Sequence, residues 1–226
     1  MANSEENKVK AIIISDSDYK EYDKLFTLFT KELGKIKAYA FGIRREHSKK
    51  IGLLRLFSFL DISLLGEPNK YSIKDVSVIE SFEALAADYE KMCYASYFIE
   101  IVDYLSFENI ESTDVLNLLY YTFKALLNDK LDPKLIKLIF ELKILKYQGE
   151  YIEGDALNTD NVTLKYTWDY VINRKPNALY NFKLDLKNFN QFKIAVEKEF
   201  KLKINKKFTS LSKLVVWNIT SHLKTL

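Results

Sequence analysis

Gly34-Lys35-Ile36-Lys37-Ala38-Tyr39-Ala40-Phe41-Gly42 alternates in character from one residue to the next. Side chains on a β-strand point to opposite faces in turn. Lys35, Lys37, Tyr39 and Phe41 therefore share one face, and Ile36, Ala38 and Ala40 share the other. A polar-aromatic outside over a small apolar inside is the pattern of a half-buried strand bounded by glycine turns. Neighbouring stretches repeat the signal. Val9 to Ile14 is a short β-branched run closed by the polar turn Ser15-Asp16-Ser17-Asp18. Lys24 to Thr30 is a second run, ended by Glu32-Leu33-Gly34. Leu53 to Leu65 is a fourth, ended by Gly66-Glu67-Pro68-Asn69. Tyr71 to Ile79 is a fifth, with Tyr71, Ile73, Asp75, Ser77 and Ile79 assigned to one face and Ser72, Lys74, Val76 and Val78 to the other. Five short strands with regular turn signals predict a small barrel or sandwich over residues 1–80.

Past Phe82 the period becomes helical. Leu85, Tyr89, Met92, Cys93, Ser96 and Ile99 fall at i, i+4, i+7 and i+8 spacings. Val115, Leu118, Leu119, Thr122, Phe123 and Leu126 repeat the pattern, with Ser112 as the expected N-cap. Asp132-Pro133 opens a third helix and Gly149 closes it. Its stripe of Leu135, Leu138, Ile139, Leu142 and Leu145 is supplemented by Ile136 and Phe140, which predicts a central place in a bundle. Residues 150–186 are less regular. Alternation in Val162, Leu164, Tyr166 and Trp168, and in Phe182, Leu184 and Leu186, predicts short strands or a hairpin. Phe189, Phe192, Val196 and Phe200 return to helical spacing, and a last helix is expected from Thr209 to Leu223. The fold class is therefore α+β, with the second region running over residues 81–226.

Charge is unevenly placed. The chain has 226 residues and a formal charge of +3. Lys31, Lys35, Lys37, Arg44, Arg45, Lys49, Lys50 and Arg55 are opposed over that span only by Glu32 and Glu46. The segment is thus +6 and the rest of the chain −3. Cations followed by rings on one strand face suit single-stranded nucleic acid: ammonium and guanidinium groups neutralise phosphate, and the rings stack on bases. The candidate nucleic-acid-binding residues are Lys35, Lys37, Tyr39, Phe41, Arg44, Arg45, Lys49 and Lys50. A plainer reading makes the same charges a solvated outer face.

Catalytic signals are poor. His47 and His222 stand apart from any cysteine or carboxylate pair at ligand spacing. The six glycines form no phosphate-binding loop. Asp16 and Asp18 sit in an expected turn, and the lone Cys93 lies on an apolar stripe, where a buried structural role is expected. No catalytic residue, cofactor or metal site is expected, so the chain reads as a non-enzyme. A single cysteine excludes an internal disulfide and fits a reducing compartment. Met1 to Lys10 is polar, so no secretory signal is visible. Leu53 to Leu65 is broken by Arg55 and Asp61 and is too short for a bilayer. A cytoplasmic protein without a membrane partner is expected.

Several of these stretches resemble a known family. Glu21 through Lys35, then Ala40-Phe41-Gly42-Ile43-Arg44-Arg45 and Ser48, is similar to the N-terminal signature of the bacterial recombination mediators of the RecO family. Tyr94 to Asp103 resembles the family's first long helix, and Phe140 to Leu145 with Gly149 resembles the end of its central helix. The resemblance implies an N-terminal five-stranded OB-fold barrel, then a helical domain. It implies a nucleoid-associated role in DNA repair: binding single- and double-stranded DNA, annealing strands, and helping RecA replace single-strand-binding protein. Implied partners are DNA, RecR and the acidic C-terminal tail of single-strand-binding protein. By motif position the family's DNA contacts fall on Lys35, Arg44 and Arg45, with Lys49 and Lys50 adjoining. Many members carry a four-cysteine zinc module after the position of Gly149. Residues 150–186 contain no cysteine, so zinc is not expected. Tyr151, Ile152, Leu157, Tyr166, Trp168, Tyr170 and Tyr180 are the expected substitute core. The alternative function is an adaptor without intrinsic DNA binding, in which Lys134, Lys137, Lys143 and Lys146 flank the third helix and meet an acidic-apolar peptide.

Overall fold

The computed structural model describes residues 6–108, 110–153 and 157–214. Five strands come first: β1 (Glu6–Asp18), β2 (Lys24–Thr30), β3 (Gly34–Ala40), β4 (Phe59–Leu65) and β5 (Tyr71–Glu80). They close on themselves in the order β1-β2-β3-β5-β4. All pairings are antiparallel except β3 with β5, which run parallel. The ring closes between β3 and β5 over two pairs, Ala38 with Tyr71 and Tyr39 with Ser72. The interior is filled by alternate residues of each strand: Val9, Ala11 and Ile13, then Phe26 and Leu28, then Ile36, Ala38 and Ala40, then Leu60, Ile62 and Leu64. This is the OB-like construction, and the fold class is α+β.

Three details of the strands depart from expectation. Ser15 to Asp18 is not a turn. A bulge between Ile13 and Ser15 lets β1 continue, so that Asp16, Ser17 and Asp18 pair with Phe26, Leu25 and Lys24. Residues 53–58 are not strand either. They form a loop in which Phe57 adopts φ 71° with its ring fully buried, while its N–H donates to the Ile13 carbonyl (3.1 Å). In β5 the inward face switches from Tyr71 and Ile73 to Val76, because a register shift against Ser63 and Leu64 adds one residue. A strict period of two cannot cross such a bulge.

The helices are α1 (Glu83–Ala87), α2 (Tyr89–Leu105), α3 (Thr113–Leu126), α4 (Pro133–Tyr147), α5 (Val162–Asn173) and α6 (Leu186–Lys203). Extended backbone at Asp88 divides what the sequence read as one helix from Phe82 onward. The termini of α4 match their sequence signals. The Asp132 carboxylate accepts the Lys134 N–H, and Pro133 takes the first turn. At the other end Gly149 (φ 73°) donates to the Lys146 carbonyl and Glu150 donates to that of Leu145. That pair of bonds is the Schellman closure. Ser112 directs its hydroxyl to the Ile110 carbonyl (2.9 Å) rather than into α3.

Residues 162–173 form a helix, not the expected strands. Leu164, Trp168, Val171 and Ile172 make a buried stripe at i, i+4, i+7 and i+8, and Asn161 caps it by accepting the Leu164 N–H (3.1 Å). Phe182 and Leu184 lie in irregular chain before α6. In the expected substitute core, Trp168 is fully buried and its indole N–H donates to the Ile152 carbonyl (2.9 Å). Tyr151 and Tyr166 are exposed and do not belong to it. Residues 210–214 are helical, as expected of the last helix. The remainder of that expectation, including Val215, Ile219, His222 and Leu223, lies outside the described residues.

Contacts divide the chain into two compact units. One is built on the strands up to Tyr89 together with Ile99–Leu116, the other on Glu90–Phe98 with the residues from Asn117 onward. Among the described residues no helix is long and apolar enough to cross a membrane.

Candidate nucleic-acid interface

The outer face of β3 carries the site. Gly34 starts the strand at φ 63°, and a methyl there would collide with the carbonyls of Phe107 and Ile110, which pack over it. Only glycine fits. From that fixed start the alternation runs as written: Ile36, Ala38 and Ala40 point inward, and Lys35, Lys37 and Tyr39 point outward. Cross-strand pairing sets Phe29 beside Lys35, Thr27 beside Lys37 and Leu25 beside Tyr39. Phe41 follows on the same side and is 61% exposed. Its ring stacks with that of Tyr39 (centroids 5.8 Å, 7° between planes).

The cations differ in what already holds them. The side chains of Lys37 and Lys49 are exposed and, among the described residues, make neither hydrogen bond nor ion pair. Lys35 donates to the Asp103 carbonyl (2.6 Å) and pairs with its carboxylate (3.1 Å). Arg44 pairs with Asp18 (3.0 Å), and Arg45 lies over the Tyr22 ring (5.6 Å). Lys50 donates to the carbonyls of Ile73 and Lys74 (3.2 and 2.5 Å), so it ties the basic loop to β5 rather than facing outward. The loop is pinned elsewhere too. Gly42 N–H donates to the Asp23 carboxylate (2.7 Å) and Arg44 N–H to the Tyr22 carbonyl (3.0 Å). Loop 19–23 is thereby held against loop 41–45.

Sequence reasoning missed Tyr19. Its ring lies 4.8 Å from that of Tyr39, with Lys20 over its other side (5.3 Å). Alternation continued from Val9, Ala11 and Ile13 would have turned Tyr19 inward; the bulge between Ile13 and Ser15 reverses the faces and sets Ser15 beside Thr27 and Ser17 beside Leu25, so Tyr19 was not legible without it.

The second unit holds the peptide candidates. Lys134 and Lys137 stand with Lys193 on a pocket of about 300 Å³ floored by Tyr94, Leu138, Phe189, Leu211 and Leu214. Lys143 and Lys146 are elsewhere. Lys143 is 2% exposed and donates to the carbonyls of Ile172 and Arg174 (both 2.6 Å), and Lys146 donates to Ile172 (3.0 Å). They satisfy the C-terminal carbonyls of α5, a use that precludes the peptide contact expected of them. Lys137 pairs with Glu197 (3.3 Å) and with buried Glu141 (3.0 Å), to which the Tyr97 hydroxyl also donates. Burial holds the Glu141 carboxyl above the usual range against the opposing pull of Lys137 and Tyr97. Burial likewise raises the Tyr94 hydroxyl, with Glu90, Asp132 and Glu141 adding to the effect. Among the described residues no group of three or more His, Cys, Asp or Glu is placed to hold a metal ion.

An OB-like ring with a basic-aromatic outer face, ahead of a helical region, defines the class. Comparison with known proteins narrows it. Residues 1–82 match the model "Recombination protein O N terminal", and residues 86–156 match "Recombination protein O C terminal". The protein named DNA repair protein RecO from Clostridium novyi is 35% identical over 142 residues, which is 63% of this chain and 56% of that protein. Those of Caldicellulosiruptor bescii and Clostridium kluyveri are each 35% identical, over 65% and 66% of this chain and 59% and 58% of their own lengths. The chain belongs to the RecO family. It spans less than two thirds of the length of these curated relatives.

Proposed function

We propose that this chain captures DNA on the outer face of β3 as a mediator of recombinational repair. The observation that carries the reading is the strand itself: Lys35, Lys37 and Tyr39 on one face, continued by Phe41, Arg44 and Arg45. Cations there bind phosphate, and rings there meet bases, without bond chemistry. In this role the chain binds single and double strands, anneals complementary strands, and assists RecA on strands coated by single-strand-binding protein, acting with RecR. The relatives named as DNA repair proteins support this reading.

Labelled oligo-dT titrated at two salt concentrations tests it. Lys35, Lys37, Arg44, Arg45 and Lys49 give about five phosphate contacts, so the log–log salt slope on single strands is expected near about −3.5. Replacing Lys35, Arg44, Arg45 and Lys49 together by Glu abolishes binding while the fold survives. Unchanged affinity would overturn the assignment.

The pocket on α4 favours a second activity in the same protein. Its apolar floor and the rim cations Lys134 and Lys193 suit the acidic-apolar tail of single-strand-binding protein, while the third lysine, Lys137, is already paired with Glu197 of the same rim. Charge reversal at Lys134 and Lys193 should weaken binding of that peptide and leave oligo-dT binding unchanged.

A further inference from the structure

Among the described residues, large apolar side chains stand furthest into solvent on α5 and α6. Val162, Tyr166, Leu186, Ile194 and Leu202 are 66–78% exposed. Single exposed apolar residues are ordinary, but several on two neighbouring helices form a patch. Leu186 lines a different cleft, beside Leu131 and Phe182. The other four fall into two stripes. On α5, Val162, Tyr166 and Asp169 stand at i, i+4 and i+7. On α6, Ile194, Lys198, Lys201 and Leu202 stand at i, i+4, i+7 and i+8. The opposite faces already carry Trp168, Val171, Phe192 and Val196 into the core, so the outer stripes are not needed there. The two helices are tied together: the Asn161 amide donates to the side-chain oxygens of Asn188 (2.9 Å) and Gln191. Beside that tie opens a cleft of about 410 Å³, walled by Ile152, Leu157, Leu164, Ile194 and Ala195. Charge differs between the stripes. Asp160 and Asp169 flank the one on α5, opposed by Lys165. Lys187, Lys198 and Lys201 lie along the one on α6. Of the two acids on that helix, Glu197 is turned to Lys137 (3.3 Å) and Glu199 is half-buried at the cleft.

We infer that two copies of the chain associate through this face, α5 of each lying on α6 of the other about a twofold axis. A twofold contact is reciprocal, so one complementary pair of stripes is used twice. Val162 and Tyr166, flanked by acids, meet Ile194 and Leu202, flanked by lysines. The apolar residues supply the contact, and the charges fix which helix faces which. Pairing α6 with α6 would set lysines against lysines, which disfavours that arrangement. A partner charged with one sign alone would suit one stripe and be repelled by the other, whereas a second copy suits both. Tyr166 is the anchor. It is a large ring with a polar end, the kind of residue that dominates such contacts when it enters a partner's cleft. The inference is independent of the nucleic-acid reading above, since none of these residues belongs to β3 or its loop.

Sedimentation velocity of the full chain over a wide range of concentration tests it. The expected result is a monomer–dimer equilibrium. A monomer throughout overturns the inference and leaves the face to another partner, and growth beyond the dimer overturns the twofold arrangement. Tyr166→Asp should weaken the dimer tenfold or more, equivalent to about 1.4 kcal/mol. The ring is exposed, so the variant should keep its helical circular dichroism. A dimer of unchanged strength in that variant places the contact on another face. Charge reversal gives a readout that truncation does not. Lys198→Glu/Lys201→Glu makes both stripes acidic, and Asp160→Lys/Asp169→Lys makes both basic. Each variant alone should be monomeric, and an equimolar mixture of the two should restore the dimer, because α5 of one then complements α6 of the other in both directions. A mixture that stays monomeric, or variants that each dimerise as the parent does, overturns the pairing of α5 with α6. Charge reversal at Lys134 and Lys193, on the separate pocket, is the control and should leave the dimer as it is.

Discussion

At the scale of single residues, the notable feature of the interface is that its cations are not equally available. Arg44 is held by Asp18 and Lys35 by Asp103, so a phosphate must displace a carboxylate to reach either. Both pairs are partly exposed, and such pairs contribute at most about 1 kcal/mol. Asp18→Asn should therefore raise DNA affinity by about two- to fivefold and steepen the salt slope, as read by anisotropy at two ionic strengths. Lower affinity would mean that Asp18 positions Arg44 instead of competing for it. Glu141 is the opposite case, a carboxyl 2% exposed whose range is raised by burial. Burial makes the folded chain favour the protonated form more than the unfolded chain does. Its contribution is fully present below the usual carboxylate range and is lost as pH rises through the raised value. Glu141→Gln removes that loss. Melts at acid and neutral pH should show the variant gaining on the parent as pH rises.

At the scale of elements, α5 depends on its neighbour for its C-terminus. Lys143 and Lys146, on α4, donate to the Ile172 and Arg174 carbonyls that have no partner within the helix. Hydrogen bonds from a charged group contribute roughly 1.5–3 kcal/mol. Lys143→Met keeps the stem and removes the donor, so it should lower stability to chemical denaturation by about that much, whereas Lys134→Met, on a pocket rim, should change it little. The same pair shows where the sequence was silent. Four lysines on one helix look alike in sequence, and only packing turns two of them inward. Elsewhere legibility followed local physics. β3 was readable because its glycines and alternation are unbroken, and α4 because its Asp-Pro start and Gly stop are local signals. β1 was cut short because a bulge hides its register, and Tyr19 was lost with it. Residues 162–168 were misread because their aromatic and β-branched composition favours a strand over four residues. Extending the window to Val171 and Ile172, with Asn161 ahead, restores the helical stripe.

At the scale of the whole chain, the described part of residues 150–186 is packed by aromatic side chains. No cysteine is there, and the segment instead sends Trp168 into full burial, with its ring 6.3 Å from Phe192 at 82° and its N–H on the Ile152 carbonyl. Tyr170 packs on Phe182 (5.3 Å) and donates to the Ala178 carbonyl (2.8 Å), and Tyr180 turns its hydroxyl onto Thr122 of α3 (2.6 Å). Trp168, Tyr170 and Tyr180 each turn a polar end onto a partner, which is the condition for burying Tyr or Trp. If a core of this kind rests on apolar burial, as its lack of cysteine leads us to propose, it is indifferent to chelators. Thermal melting with and without EDTA is expected to give the same Tm, and Trp168→Ala is expected to cost about 3–5 kcal/mol. A metal-held segment would give the reverse pattern: a fall in Tm on chelation, restored by added zinc, with only a modest effect of the Trp168 truncation.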